Sequence, residues 1–191
     1  MTCIVAIAED NTIHMAGDRM AAGNGDKMMY NRSKVFINGD FVIGYTDSFR
    51  LGQLMEFTWN QPDFTAGQSD FGYMCTAVVD SIKKMLADYD VVFGAGENLL
   101  IGYGGKLYTI QGDYSVFEHE HFAAVGCGYV AAKASLYTSA RIQSYSYDNM
   151  MATGDGIEFD SEDRLSWAIE ASATFKTGVS VECDYITSYQ E

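Results

Sequence analysis

The chain has 191 residues, 48% hydrophobic and 20% charged, with a single proline and a formal net charge of −14 from 12 basic and 26 acidic side chains. That length fits one domain, or at most two small ones, and is enough to bury a core. An excess of carboxylates on this scale repels phosphate backbones and anionic lipid surfaces, so neither nucleic acid nor a membrane is expected as a partner.

In chain order, the first fifty residues alternate short β-rich runs with turn signals. Thr2-Ala8 and Thr12-Gly17 flank Asp10-Asn11, and Lys34-Ile37 and Phe41-Tyr45 flank Asn38-Gly39-Asp40. An Asn-Gly pair between two apolar runs is a hairpin signal, because both residues tolerate positive φ. Ala21-Asp26 is small, polar and Gly-containing, and reads as a loop. From Phe49 the period changes. Leu51, Leu54, Met55 and Thr58 predict a short helix ending before Pro62. Phe71, Met74, Cys75, Val78, Ile82, Met85, Leu86 and Tyr89 then share one helix face, with Asp70 placed as its cap. Leu99-Tyr103 and Lys106-Ile110 form a second hairpin around Gly104-Gly105, and Phe122-Val125 is a further strand. Tyr129-Arg141 reads as a helix and Asp148-Asp160 as a mobile loop. Ser161 opens another helix, in which Leu165, Ala168, Ile169 and Ser172 share a face, and Gly178-Ile186 closes as a strand. Strands in runs and helices in pairs, without strict alternation, argue for a layered α+β fold.

No apolar run approaches the roughly 20 residues of a membrane helix, and Met1-Thr2-Cys3 leads into a strand with no basic, apolar leader. The cysteines, Cys3, Cys75, Cys127 and Cys183, show neither CxxC spacing nor disulfide-scaffold density, so a reducing cytoplasm is the expected compartment. Cys75, in its apolar stripe, is expected in the core.

The chemistry concentrates at the start of the chain. Methionine before a small residue is the usual substrate for initiator removal, and that removal exposes Thr2 with a free α-amine beside its hydroxyl. An α-amine has an ordinary pKa of roughly 7.7 to 8, so near neutrality a useful fraction can accept the hydroxyl proton. Nucleophile and base then share one residue. Asp18 ends the second strand and Lys34 opens the third. A lysine beside the amine disfavours a second positive charge and holds the amine basic, and Asp18 holds the lysine in place.

These residues carry a resemblance. Met1-Thr2-Cys3-Ile4-Val5-Ala6, Met15-Ala16-Gly17-Asp18 and Lys34-Val35, followed by Asn38-Gly39 and Val42-Ile43-Gly44, resemble the proteasome β-subunit family, in the manner of the bacterial peptidase HslV. The intervals from Thr2 to Asp18 and to Lys34 match the family's Thr, Asp and Lys. Ala124-Val125-Gly126-Cys127-Gly128 before a helix, and Trp167-Ala168-Ile169-Glu170-Ala171, extend the likeness along most of the chain. The resemblance implies one N-terminal nucleophile hydrolase domain over residues 1–191, a four-layer αββα sandwich. It further implies a threonine-type endopeptidase working without cofactor in stacked rings of identical subunits on peptides or unfolded proteins. An ATP-dependent unfoldase is admitted as a further partner.

By the same resemblance, a backbone amide at Ser48 serves the oxyanion, and Cys127 and Thr177 stand where supporting hydroxyls lie. Three departures follow. Cys127 puts a weak thiol partner in place of a serine, Thr174 replaces an aspartate that orients the nucleophile, and Asp47 adds an acid that favours basic side chains in the substrate pocket. A noncatalytic ring-forming subunit of the same fold and an amidase acting on small substrates remain alternatives. Glu118-His119-Glu120-His121 holds two imidazoles at strand spacing but nothing else at ligand spacing, so it reads as a solvated edge strand and no metal is expected. His14 is expected to face solvent, and Gly102-Tyr103-Gly104-Gly105 lacks the Lys-Ser/Thr of a phosphate loop and reads as a turn.

Overall fold

The strand β1 (Cys3–Glu9) is buried along almost its whole length, and its side chains divide by parity. Cys3, Val5 and Ile7 enter one apolar cluster with Ala132, Leu136, Leu165, Ala168 and Ile169. Ile4, Ala6 and Ala8 enter another with Ile13, Met15, Val35, Val42, Leu100 and Leu107. Successive strand residues point to opposite faces, so a run covered on both sides must be apolar throughout, as Cys-Ile-Val-Ala-Ile-Ala is. This computed structural model describes residues 1–23, 26–153 and 159–189.

Two antiparallel sheets face each other. The first has the order β10 (Phe122–Gly126), β1, β2 (Thr12–Asp18), β11 (Cys183–Tyr189). The second runs as a meander of β5 (Val35–Asn38), β6 (Phe41–Tyr45), β7 (Asn98–Tyr103), β8 (Lys106–Gln111) and β9 (Val116–His119). Helices α4 (Tyr129–Thr153) and α5 (Ser161–Phe175) cover the outer face of the first sheet. Helix α1 (Phe49–Phe57) and the helical run α2 (Asp70–Tyr73), a π segment (Met74–Val78) and α3 (Val79–Asp88) cover the second. There Phe41, Ile43, Leu99, Ile101, Tyr108 and Ile110 pack under Leu51, Leu54, Met74, Val78, Ile82 and Leu86. The order of layers is therefore αββα, as expected.

Glycine sets how closely the sheets approach. A Cβ on Gly44 would lie 2.5 Å from Ile4 Cγ2 and 3.0 Å from Met15 Sδ, both on the opposite sheet. The turns also follow the sequence. Asp10 and Asn11 both adopt positive φ (49° and 56°) between β1 and β2, and Asn38 pairs with Phe41 to leave Gly39-Asp40 as a two-residue loop.

Several expectations are corrected. Met20–Gly23 (β3) and Asp26–Met29 (β4) pair as a short hairpin where a loop was expected. The cap of α2 is Ser69, whose hydroxyl accepts from the Gly72 amide, and Asp70 is a first-turn acid instead. The π segment adds a residue to one turn, so burial passes from Tyr73 to Val78 and from Met74 to Val79 at spacing five. Cys75 is thereby turned to solvent, contrary to the core expectation, and Phe71 and Tyr89 at the two ends of the run are exposed as well. Helix α4 runs on to Thr153, into the segment expected as a mobile loop, of which residues 154–158 lie outside the described residues. The closing strand starts at Cys183, not Gly178, and His14 is only partly exposed, with Nδ1 3.1 Å from Thr187 Oγ1.

Candidate active site

Three strand ends converge at one end of the sandwich. Thr2 immediately precedes β1, Asp18 ends β2, and Lys34 immediately precedes β5 in the other sheet. All three side chains are buried, with residue exposures of 3% for Thr2, 0% for Asp18 and 1% for Lys34. A lone buried ammonium is costly, and this one is satisfied completely. Lys34 Nζ donates to Met20 O at 2.6 Å, to Asp18 Oδ1 at 2.9 Å and to Thr2 Oγ1 at 3.3 Å, one acceptor for each of its three protons.

Asp18 is equally saturated. Its Oδ1 accepts from Lys34 and from the Cys3 amide at 2.9 Å, while Oδ2 accepts from the Met20 amide at 3.1 Å and the Ser180 amide at 3.4 Å. Through Cys3 N the carboxylate fixes the backbone one residue after Thr2, and through Lys34 it fixes the cation at the Thr2 hydroxyl. The predicted trio is thus one hydrogen-bonded group. Its carboxylate orients a cation, and the cation favours negative charge on Thr2 Oγ1 over the neutral hydroxyl.

The neighbouring turns approach through glycine. Gly126 has φ +91°, and a Cβ there would stand 2.1 Å from Thr2 O, so only glycine lets the Gly126-Cys127-Gly128 turn close on the Thr2 end of β1. A Cβ on Gly178 would stand 2.4 Å from Met1 Sδ, which seats the Met1 side chain against the loop after α5. The Met1 α-ammonium lies 3.4 Å from Asp47 Oδ1.

The expected supporting residues are placed differently from one another. Cys127 is half-buried and lines a cleft of about 690 Å³ together with Asp47, Gly126, Asn98, Glu118 and His119. Ser48 caps α1, accepting from the Leu51 amide at 3.1 Å, and its own amide donates to Thr46 O at 2.7 Å. This closes a three-residue turn around Asp47 at φ 63°, a strained γ-turn geometry. The amide expected at the oxyanion is therefore engaged within its own turn. Thr177 is exposed in the turn after α5, and Thr174 donates back to Glu170 O on its own helix, so neither reaches Asp18.

The hydroxyl that does join the group is Ser180, which sequence reading missed. Its amide reaches Asp18, and its Oγ accepts from the Arg19 amide at 3.1 Å and donates to Glu182 O at 2.8 Å. Nothing local to Val179-Ser180-Val181 marks it, because the contact spans 162 residues. Ser172, whose place on the apolar stripe of α5 was the available signal, is fully buried. Its Oγ lies 3.0 Å from Gly128 O and accepts from the Cys3 thiol at 3.2 Å. Burial pushes the Cys3 thiol up to about 12, so it stays protonated and packs as a small apolar group beside Thr2.

Of the Glu118–His121 motif, Glu118 and His119 line the same cleft as Asp47 and Cys127. His119 ends the edge strand β9, with Nε2 2.8 Å from Thr109 Oγ1, while His121 is exposed. Among the described residues, no three His, Cys, Asp or Glu side chains gather as metal ligands, and no helix is long and apolar enough to cross a membrane.

No family model and no curated protein matches the chain. Solved structures do. BPH of Thiobacillus denitrificans, in one structure bound to epoxomicin, is 18% identical over 98% of both chains with a TM-score of 0.76. Eukaryotic HslV from Trypanosoma brucei is 17% identical over 99% of both chains, with a TM-score of 0.61. A mutant of Anbu from a Hyphomicrobium strain is 13% identical over 99% of this chain and 82% of its own, with a TM-score of 0.64. The chain therefore has the fold of BPH, HslV and Anbu, the αββα sandwich of the N-terminal nucleophile hydrolases.

Proposed function

We propose that this chain is a threonine-type endopeptidase, a single domain over residues 1–191 that acts in cytoplasmic stacked rings of identical subunits on peptides or unfolded proteins. The observation that carries the reading is the Lys34 ammonium, held by buried Asp18 and placed 3.3 Å from the hydroxyl of the second residue of the chain.

With Met1 attached, Thr2 is 3% exposed and its nitrogen is an amide. Removal of Met1 uncovers the hydroxyl and leaves an α-amine on the same residue as general base. That amine takes the hydroxyl proton, directly or through water, as Oγ1 attacks the scissile carbonyl. Lys34 stabilises negative charge on Oγ1 and keeps the neighbouring amine in its neutral form. Asp18 positions Lys34, and Ser180 positions Asp18. The oxyanion falls to the Ser48 amide once the substrate displaces its bond to Thr46. The amine then returns its proton to the leaving nitrogen, and water clears the acyl ester. The steps proposed use no metal or organic cofactor. An ATP-dependent unfoldase remains a partner suggested only by the resemblance.

A noncatalytic ring-forming subunit is the second reading. It draws on the two hydroxyls that face away, Thr174 and Thr177, and on the internally bonded Ser48 amide. An amidase for small substrates is separated from both by robust small-amide hydrolysis without ring assembly. Intact mass and labelling test the main reading. Loss of one methionine residue, with a single adduct of an electrophilic peptide such as epoxomicin mapped to Thr2, supports the enzyme. Retained Met1 and no adduct in any assembly state refutes it.

A further inference from the structure

Met1 is joined to Thr2 through its carbonyl, whose carbon is four bonds from Thr2 Oγ1. In an acyl-enzyme the corresponding carbon is bonded to Oγ1 itself. With Thr2 as nucleophile, residue 1 is the nearest stand-in the structure holds for the acyl-side residue of a substrate. Its side chain rests against Gly178, and its nitrogen, a cation, lies 3.4 Å from Asp47 Oδ1.

Among the described residues, Asp47 forms no other ion pair. Its side chain is 44% exposed at the mouth of the cleft of about 690 Å³. Loss of Met1 thus leaves a carboxylate beside the reacting position without its cation. The other charges lining the cleft are Glu118, which faces Lys106 at 3.9 Å, and Lys133, which lies over the Tyr129 ring at 5.7 Å. The cleft also holds His119, whose imidazole is shifted below its ordinary pKa by burial and then by Lys133.

We propose that Asp47 is a specificity-determining residue that receives a cation carried by the acyl-side residue of the substrate. The cation is an ammonium or guanidinium. Its source is either the free α-amine of an N-terminal residue, as in Met1, in which case the enzyme also releases single N-terminal residues, or a Lys or Arg side chain, the source that fits internal cleavage. The inference rests on the reading of Thr2 as nucleophile. It narrows the substrates from peptides in general to those with positive charge next to the scissile carbonyl.

The test uses protein freed of Met1 and three fluorogenic amides sharing one leaving group: methionyl, N-acetylmethionyl and N-acetyllysyl. At least one cationic substrate is expected to exceed N-acetylmethionyl about tenfold in kcat/KM, the scale of one charge-assisted contact at a half-exposed site. The methionyl amide leads if the source is the α-amine, and the N-acetyllysyl amide leads if it is a side chain. Asp47→Asn should bring that ratio close to one, and asparagine tolerates the left-handed backbone at this position.

A ratio within twofold in the unmodified protein, as would follow if the new Thr2 amine took over the carboxylate, overturns the proposal. So does a ratio that Asp47→Asn leaves unchanged. A second readout does not need turnover: titration of the Thr2→Ala protein with methioninamide, N-acetylmethioninamide and N-acetyllysinamide. Tighter binding of a cationic amide supports the assignment, and equal affinities contradict it. Hydrolysis that survives Thr2→Ala sinks the nucleophile reading alone, while the titration still decides on Asp47.

Discussion

Lys34 donates to Asp18 at 2.9 Å where neither side chain is more than 1% exposed, and the same ammonium reaches the Thr2 hydroxyl. A buried pair of this kind is costly to break from one side, because the remaining charge has no solvent. Lys34→Met should destabilise the fold by about 3–5 kcal/mol on that account. Asp18→Asn together with Lys34→Met should recover part of the loss, since no charge is then left buried. Urea unfolding of the two singles and the double closes the cycle, and a strictly additive result would deny the coupling.

Gly126 makes a second prediction. Alanine there faces both a φ of +91° and the Thr2 carbonyl oxygen 2.1 Å from its Cβ. The backbone cost alone is about 1–2 kcal/mol, and the clash must move the Thr2 strand or the turn. Gly126→Ala should lower the unfolding midpoint and also slow labelling of Thr2. A variant with lowered stability but unchanged labelling would mean that the turn does not position Thr2.

Stability toward acid depends on His119. Burial, and then Lys133, holds its imidazole below the ordinary 6.5. The unfolded chain thus takes up this proton at higher pH than the folded one. The contribution of His119 is complete above pH 6.5 and is lost as pH falls below it. Urea midpoints between neutral pH and pH 5 should fall less steeply in His119→Gln, which keeps a hydrogen-bonding group near Thr109. Identical slopes would contradict the assignment.

The cysteines separate by reactivity. Cys3 is fully buried with its thiol pushed up to about 12, whereas Cys75 is exposed on the π segment. Near pH 8 an alkylating reagent should modify Cys75 long before Cys3, read by peptide mass mapping. Early loss of the Cys3 thiol would show that the end of the sandwich holding Thr2 opens readily.

The parts of the fold legible in the sequence are those in which local pattern and burial agree. The apolar run of β1, the turns at Asp10-Asn11 and Gly39-Asp40, and the helix face of Leu165, Ala168 and Ile169 each state their structure locally. The π segment defeated a strict helical period, because one inserted residue rotates Cys75 outward and Val79 inward. The hairpin of β3 and β4 was hidden by small residues that also suit a loop. At the site, Thr2, Asp18 and Lys34 were legible because strand ends carried them and a spacing related them. Ser180 was not, since its contact with Asp18 depends on how the segment after α5 returns to the end of β2. Asp47 was legible as an unusual acid, but not as the partner of an α-ammonium, which required the Met1 contact itself.

The most direct measurement is peptide hydrolysis by the assembled protein, freed of Met1, compared with the Thr2→Ala protein prepared in the same way. The account predicts turnover by the first and loss of at least about a thousandfold in the second, the usual scale for removal of a nucleophile. Equal rates in the two proteins, with Met1 verified absent from both, would contradict Thr2 as the nucleophile.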